Sequence, residues 1–159
     1  MTYFDNHHES ERFKSITVDI AGKQTKETKD LFLNKNFKNI KLNFHGYVDD
    51  DTLNQLYKNS HFCFFLSRNE GYGLPLVEAL WFGSIPVISD IPVFGEIVGK
   101  DYPKFDDKSG YTDAIKDFVV KSYFDKTYQK KLFEDINKIV EKEKNGYKRS
   151  VQNIVELSS

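Results

Sequence analysis

One cysteine is all that this chain of 159 residues contains, which excludes an intramolecular disulfide and any metal cage built from cysteines. That residue, Cys63, lies within the apolar run Phe62-Cys63-Phe64-Phe65-Leu66 and reads as a small buried hydrophobe rather than a reactive thiol. No apolar stretch reaches the roughly 20 residues that a bilayer-spanning helix needs, and the N-terminus lacks the apolar core of a secretory signal. The expected compartment is the cytoplasm. Nor does either charge dominate: 23 basic and 24 acidic residues leave a formal net charge of −1, so electrostatics gives no reason to expect a nucleic-acid partner. Repeats, low-complexity tracts and linker-like composition breaks are missing too, and the length suits one domain with a sizeable core.

What is present centres on Ser67-Arg68-Asn69-Glu70-Gly71-Tyr72-Gly73-Leu74-Pro75, followed by Leu76-Val77-Glu78-Ala79-Leu80. The apolar run before it is short enough to be a strand covered on both faces. Gly71 and Gly73 permit positive φ and close backbone approach to a ligand, and Pro75 suits the first turn of a helix. Unpaired amides and the positive end of that helix would favour phosphate or carboxylate. Glu78 is the only charge between Pro75 and Gly83, on a helix that looks buried nearly all round. Two readings of it stand: a carboxylate satisfied by the protein itself, or one that accepts hydrogen bonds from the two hydroxyls of a ribose. Glu70 lies in the loop, where carboxylates are usually solvated.

Along the chain, residues 1–14 form a polar N-terminal segment. His7 and His8 are adjacent, do not face one way on a helix, and have no further ligand at useful spacing, so no metal site is expected. Residues 15–21 alternate as a strand, 25–33 suit a short helix, and Ile40-Lys41-Leu42-Asn43-Phe44 alternates again. Asp49-Asp50-Asp51 can cap a helix running to Asn59. After the central motif, 85–89 reads as a buried strand, 91–99 contains a short helix, and 102–105 suits an edge strand because Pro103 cannot donate to a ladder. Two helices follow, 111–122 and 126–144, with Gly146 expected to break the second before a final helix over 147–155. Strands alternating with helices imply an α/β fold with a doubly wound parallel sheet, which binds ligands beyond the carboxyl ends of its strands. The glutamate loop lies at such an end.

The string Glu70-Gly71-Tyr72-Gly73-Leu74-Pro75, then Glu78-Ala79, Gly83 and Pro86-Val87-Ile88, resembles the C-terminal, nucleotide-sugar-binding domain of GT-B glycosyltransferases of the large retaining group 1 family. The resemblance covers about residue 13 to the C-terminus and includes that family's two glutamates with seven residues between them. It implies a Rossmann-like domain over residues 15–159 and transfer of a sugar, with retention, from a nucleotide-sugar such as a UDP- or GDP-sugar. By this resemblance Glu78 holds the ribose hydroxyls and Glu70 lies near the donor sugar as the catalytic candidate. The backbone of Gly71, Tyr72, Gly73 and Leu74 faces the pyrophosphate and sugar. The loop after the second strand walls the base, which makes Val48 and Asp50, beside Tyr47, further binding candidates. No metal and no cofactor are implied. The acceptor is a sugar or lipid-linked glycan, and the implied setting is cytoplasmic, extending to the inner face of the membrane as a peripheral protein.

Two departures accompany the match. The family's acceptor-binding N-terminal domain is absent, and only a polar segment stands where the domain's first strand and a phosphate-gripping arginine and lysine are placed. Lys23 and Arg68 are nearby cations outside the family's basic positions. The expectation is a sheet lacking its first strand and a site completed by an N-terminal domain or subunit. Three readings follow: the donor-binding part of a glycosyltransferase, a non-catalytic nucleotide-sugar-binding subunit, or an α/β interaction domain in which Glu78 is structural.

Overall fold

The computed structural model describes residues 13–33, 39–106 and 111–157. They form two compact units, Met1–Leu56 and Tyr57–Ser159. In the first, β1 (Ile16–Ala21) and β2 (Ile40–Gly46) pair in parallel, from Ile16 opposite Ile40 to Ile20 opposite Phe44; an irregularity then sets Ala21 opposite Gly46. Parallel strands require a crossover, and α1 (Lys26–Leu33) supplies it. The alternation of β1 is that of the sequence: Ile16, Val18 and Ile20 are half-buried, while Thr17, Asp19 and Ala21 are exposed. Across the pair, Asn43 Nδ2 donates to Asp19 Oδ1 at 2.9 Å, and His45 Nε2 lies 2.7 Å from the same oxygen. α2 (Asp50–Asn59) starts where Asp49 caps it, Oδ1 accepting the Thr52 amide at 2.8 Å.

The second unit repeats the strand, helix, strand plan. β3 (Phe62–Phe65) and β4 (Ile85–Ile88) are parallel, with Phe62 opposite Ile85 and Phe65 opposite Ile88, and α3 (Leu74–Trp81) crosses between them. Every residue of β4 is buried, and Leu76, Val87, Ile88, Phe94 and Ile136 are the centre of the core. α4 (Pro92–Val98) follows, then α5 (Tyr111–Phe124) and α6 (Lys126–Leu157). The α/β class and the parallel pairing are those expected; among the described residues the strands form two pairs. The polar N-terminal segment lies almost wholly outside the described residues, and His7 and His8 with it.

Four local expectations change. β3 is not covered on both faces: Phe64 is 53% exposed, and Leu66, just after the strand, is 41% exposed. α3 is not buried all round either. Leu76, Ala79 and Leu80 are buried on one side, while Leu74 is 62% and Trp81 47% exposed on the other. The 102–105 strand reduces to one bridge between Ser89 and Phe105, because the Tyr102 side chain turns inward and its hydroxyl donates to the Pro86 carbonyl at 2.8 Å. Gly146 does not break α6, which runs on to Leu157. A glycine costs about 1 kcal/mol in a helix, and the Lys- and Glu-rich residues before it are good helix formers that carry the helix through.

Candidate functional site

Because β3 and β4 are parallel, the loop from Leu66 to Gly73 emerges at the carboxyl end of the pair, where open α/β sheets place their ligands. Gly73 makes the turn into α3. Its φ of 66° is left-handed, and a Cβ there would stand 2.7 Å from Ile97 Cδ1 and 3.5 Å from the Phe94 ring, so both dihedral and packing call for glycine. Its carbonyl accepts the amides of Leu76 and Val77 at 3.0 and 3.3 Å, and Pro75 has no N–H to place. No side chain caps this helix end, so its positive pole is open to an anion. Gly71 differs from expectation: it is exposed, has no positive φ, and nothing lies within 4 Å of a Cβ built on it. Of the two glycines, only Gly73 is demanded by the backbone.

The two glutamates differ in setting. Glu70 is exposed, and the Ser67 hydroxyl donates to its Oε1 at 2.5 Å, which holds the carboxylate back against its own loop. Glu78 is half-buried in the second turn of α3 rather than enclosed. Tyr57 reaches it, the hydroxyl donating to Oε2 over a long 3.4 Å. Burial first, and then the charge of Glu78, push the Tyr57 hydroxyl far above its ordinary range, so it remains a donor at any physiological pH. A carboxylate offers about four acceptor positions, and one long bond occupies one of them. Burial likewise raises the Cys63 thiol, in keeping with an inert packing role.

Around them, Tyr72 is 86% exposed and Leu74 also faces solvent, giving the loop an apolar rim. Arg68 is exposed on the same loop; Lys23 is exposed in the Met1–Leu56 unit. Val48, half-buried after β2, and Asp50, the exposed first residue of α2, belong with Tyr47 to that first unit, whereas Glu70, Gly71, Tyr72, Gly73, Leu74 and Glu78 belong to the second. Tyr57 and Ser67 were not singled out from the sequence as partners of the glutamates. Tyr57 lies in α2, and its link to Glu78, 21 positions away, carries no local signal. Among the described residues no group of His, Cys, Asp and Glu is arranged to hold a metal, and no helix is long and apolar enough to cross a membrane.

Comparison with known proteins gives a consistent set of relatives. The family model for "Glycosyl transferases group 1" matches residues 7–105, more than half of the chain. The O-antigen chain mannosyltransferase RfbU of Salmonella typhimurium is 35% identical over 78 residues, 48% of this chain and 22% of that protein. The serotype-specific mannosyltransferase WbdA of Escherichia coli is 44% identical over 59 residues, 37% of this chain and 7% of that one. A GDP-mannose:cellobiosyl-diphosphopolyprenol alpha-mannosyltransferase of Xanthomonas oryzae is 46% identical over 44 residues, 28% of this chain and 12% of that protein. The chain thus spans less than a quarter of the length of these relatives in each match. No solved structure matches it significantly.

Proposed function

From a chain that belongs to the group 1 glycosyl transferases, we propose the donor-binding part of a mannosyltransferase, which takes a nucleotide-sugar at the loop between β3 and α3. The observation that carries this reading is one helix end: a left-handed, sterically required Gly73 opens an uncapped α3 toward a loop bearing exposed Glu70, while half-buried Glu78 stands in the next turn. The diphosphate rests against the backbone of Gly71, Tyr72, Gly73 and Leu74 at the positive helix end. Glu78 accepts the two ribose hydroxyls through the acceptor positions that Tyr57 leaves open. Glu70 stands beside the donor sugar, held in its loop by Ser67 until substrate arrives.

In the reaction the bond between the sugar C1 and the diphosphate oxygen breaks, and a bond from C1 to an acceptor hydroxyl oxygen forms with retention of configuration. The hydroxyl proton leaves with the departing nucleoside diphosphate or its surroundings. Charge accumulates on that leaving group, so the helix-end amides contribute electrostatic stabilisation where it is greatest. No metal and no cofactor enter this scheme. GDP-mannose is the proposed donor, since a relative bears that substrate in its name and the others are named mannosyltransferases; a UDP-sugar is the alternative. The acceptor is a sugar or lipid-linked glycan, met in the cytoplasm or at the inner face of the membrane. Residues 15–159 supply the donor half, and an acceptor-binding N-terminal domain or subunit supplies the other.

Titration of GDP and GDP-mannose by calorimetry tests the reading. Glu78→Gln weakens both by about 1.5–3 kcal/mol, one to two powers of ten, the range for hydrogen bonds to a charged acceptor. A 2′-deoxy analogue then loses less against the variant than against the parent protein. The long Tyr57–Glu78 bond favours a second reading, in which the carboxylate is structural and the domain binds a protein. A folded Glu78→Gln variant that binds GDP as the parent does would select that reading.

A further inference from the structure

At the opposite end of the β3–β4 pair lies a cleft of about 400 Å³, lined by Lys58, His61, Phe62, Ser122, Tyr123, Gln129 and Phe133 among others. All of them belong to the Tyr57–Ser159 unit. His61 and Phe62 stand at the start of β3, and Gly83 and Ile85 at the start of β4. The glycine loop leaves the other end, so four-residue strands, about 13 Å of rise, separate the cleft from the donor loop. The volume is within the range of small-molecule sites. Its most telling residue is Ser122, which is fully buried and whose hydroxyl has no hydrogen-bond partner among the described residues. A buried hydroxyl without a partner is costly unless a ligand or water satisfies it.

The lining chooses between ligand classes. An anion would want a helix N-terminus or several cations. The amides of Thr127 and Tyr128 at the start of α6 are already taken by Asp125 Oδ1, at 3.0 and 2.9 Å, and the ammonium of Lys58 sits 5.4 Å from the centre of the Phe82 ring. What remains is the Ser122 hydroxyl, the Gln129 amide, whose Oε1 also accepts from Lys126 Nζ at 3.3 Å, and the His61 imidazole, set among aromatic rings. His61 itself packs edge-on against Tyr123, with ring centres 5.4 Å apart. Rings with an exposed face, such as that of Phe133 at 37% exposure, suit the C–H face of a pyranose, while hydroxyl, amide and imidazole groups exchange hydrogen bonds with its hydroxyls.

We infer that this cleft is a second saccharide site, which holds one neutral hexopyranose unit of a glycan at the end of the β3–β4 pair opposite the donor loop. The inference rests on the cleft and not on the donor assignment. The test follows backbone amide resonances of the 159-residue chain while methyl α-mannoside, methyl α-glucoside or mannobiose is added, with and without saturating GDP. Saturable shifts are expected at 58–62 and 122–133, unchanged by GDP. Phe133→Ala, at an exposed position, should weaken them about tenfold. Ser122→Ala, which removes an unsatisfied hydroxyl and so should fold at least as well as the parent, should weaken them several-fold. No saturable shift at these residues with any of the sugars would overturn the inference. So would shifts confined to residues 67–78 and abolished by GDP, which would leave the donor reading standing, and so would full sugar binding by both variants.

Discussion

Gly73→Ala probes the turn on which the donor loop depends, and its cost can be worked from the geometry. Holding an L-residue at φ 66° costs about 1–2 kcal/mol. The new methyl carbon would stand 2.7 Å from Ile97 Cδ1, so that flexible end must leave its rotamer, at about 0.5–1.5 kcal/mol. Against these, alanine removes about 0.4–1 kcal/mol of unfolded-chain entropy. The net expectation is a loss of about 0.5–3 kcal/mol. Urea unfolding read through the fluorescence of Trp81, the sole tryptophan and a residue of α3, reports on this unit rather than on Met1–Leu56. Gly71→Ala is the control, since it has neither positive φ nor any neighbour within 4 Å, and it should cost less than about 0.5 kcal/mol. Ile97→Val removes Cδ1; in the double variant the steric part should vanish and the dihedral part persist, giving a coupling of about 0.5–1.5 kcal/mol. Equal losses at Gly71 and Gly73, or a fully stable Gly73→Ala, would refute the argument that this turn requires glycine.

Glu70→Gln should leave GDP binding almost unchanged but weaken GDP-mannose, read by the same calorimetry, because its proposed partner is the sugar; equal losses for both ligands would contradict that role. Ser84→Ala should cost about 1–2 kcal/mol in the Trp81-detected melt, since its buried hydroxyl lies 2.7 and 3.0 Å from the carbonyl oxygens of Tyr57 and Ser60 and the variant leaves them without this donor. A neutral substitution would mean that other groups take over. For Asp19, burial opposes ionisation, but the hydrogen bonds from His45 and Asn43 outweigh it and hold the carboxyl below its ordinary value of 3.8. A depressed folded-state value stabilises above the unfolded one, so this contribution is present at neutral pH and fades as pH falls through the folded value, below about 4. Asp19→Asn should therefore lower stability at pH 7 and flatten the acid limb between pH 5 and 2; an unchanged pH profile by circular dichroism would remove the pair from the stability of β1 and β2.

Local sequence carried much of the secondary structure because it arises from short-range rules. The period-two alternation of residues 15–21, the Pro75 of a first turn and the glycine before it act over a few residues, and β1, α3 and the left-handed Gly73 are found where those rules put them. Where a rule was only a tendency, it failed: Gly146 carries a modest penalty that the surrounding helix outweighs, and Gly71 has positive-φ freedom that the chain does not use. Which face of an element is covered is another matter, because burial is decided by residues far away in the chain. An apolar α3 looked enclosed, yet Trp81 is half open and Glu78 is reached by Tyr57 from a different helix. Likewise nothing near Ser122 in the sequence signals a hydroxyl that has no partner among the described residues, beside the start of β3 and α6. The tertiary structure alone made that juxtaposition, since contacts between distant elements depend on how parallel strands and their crossover helices stack, and no local period encodes it.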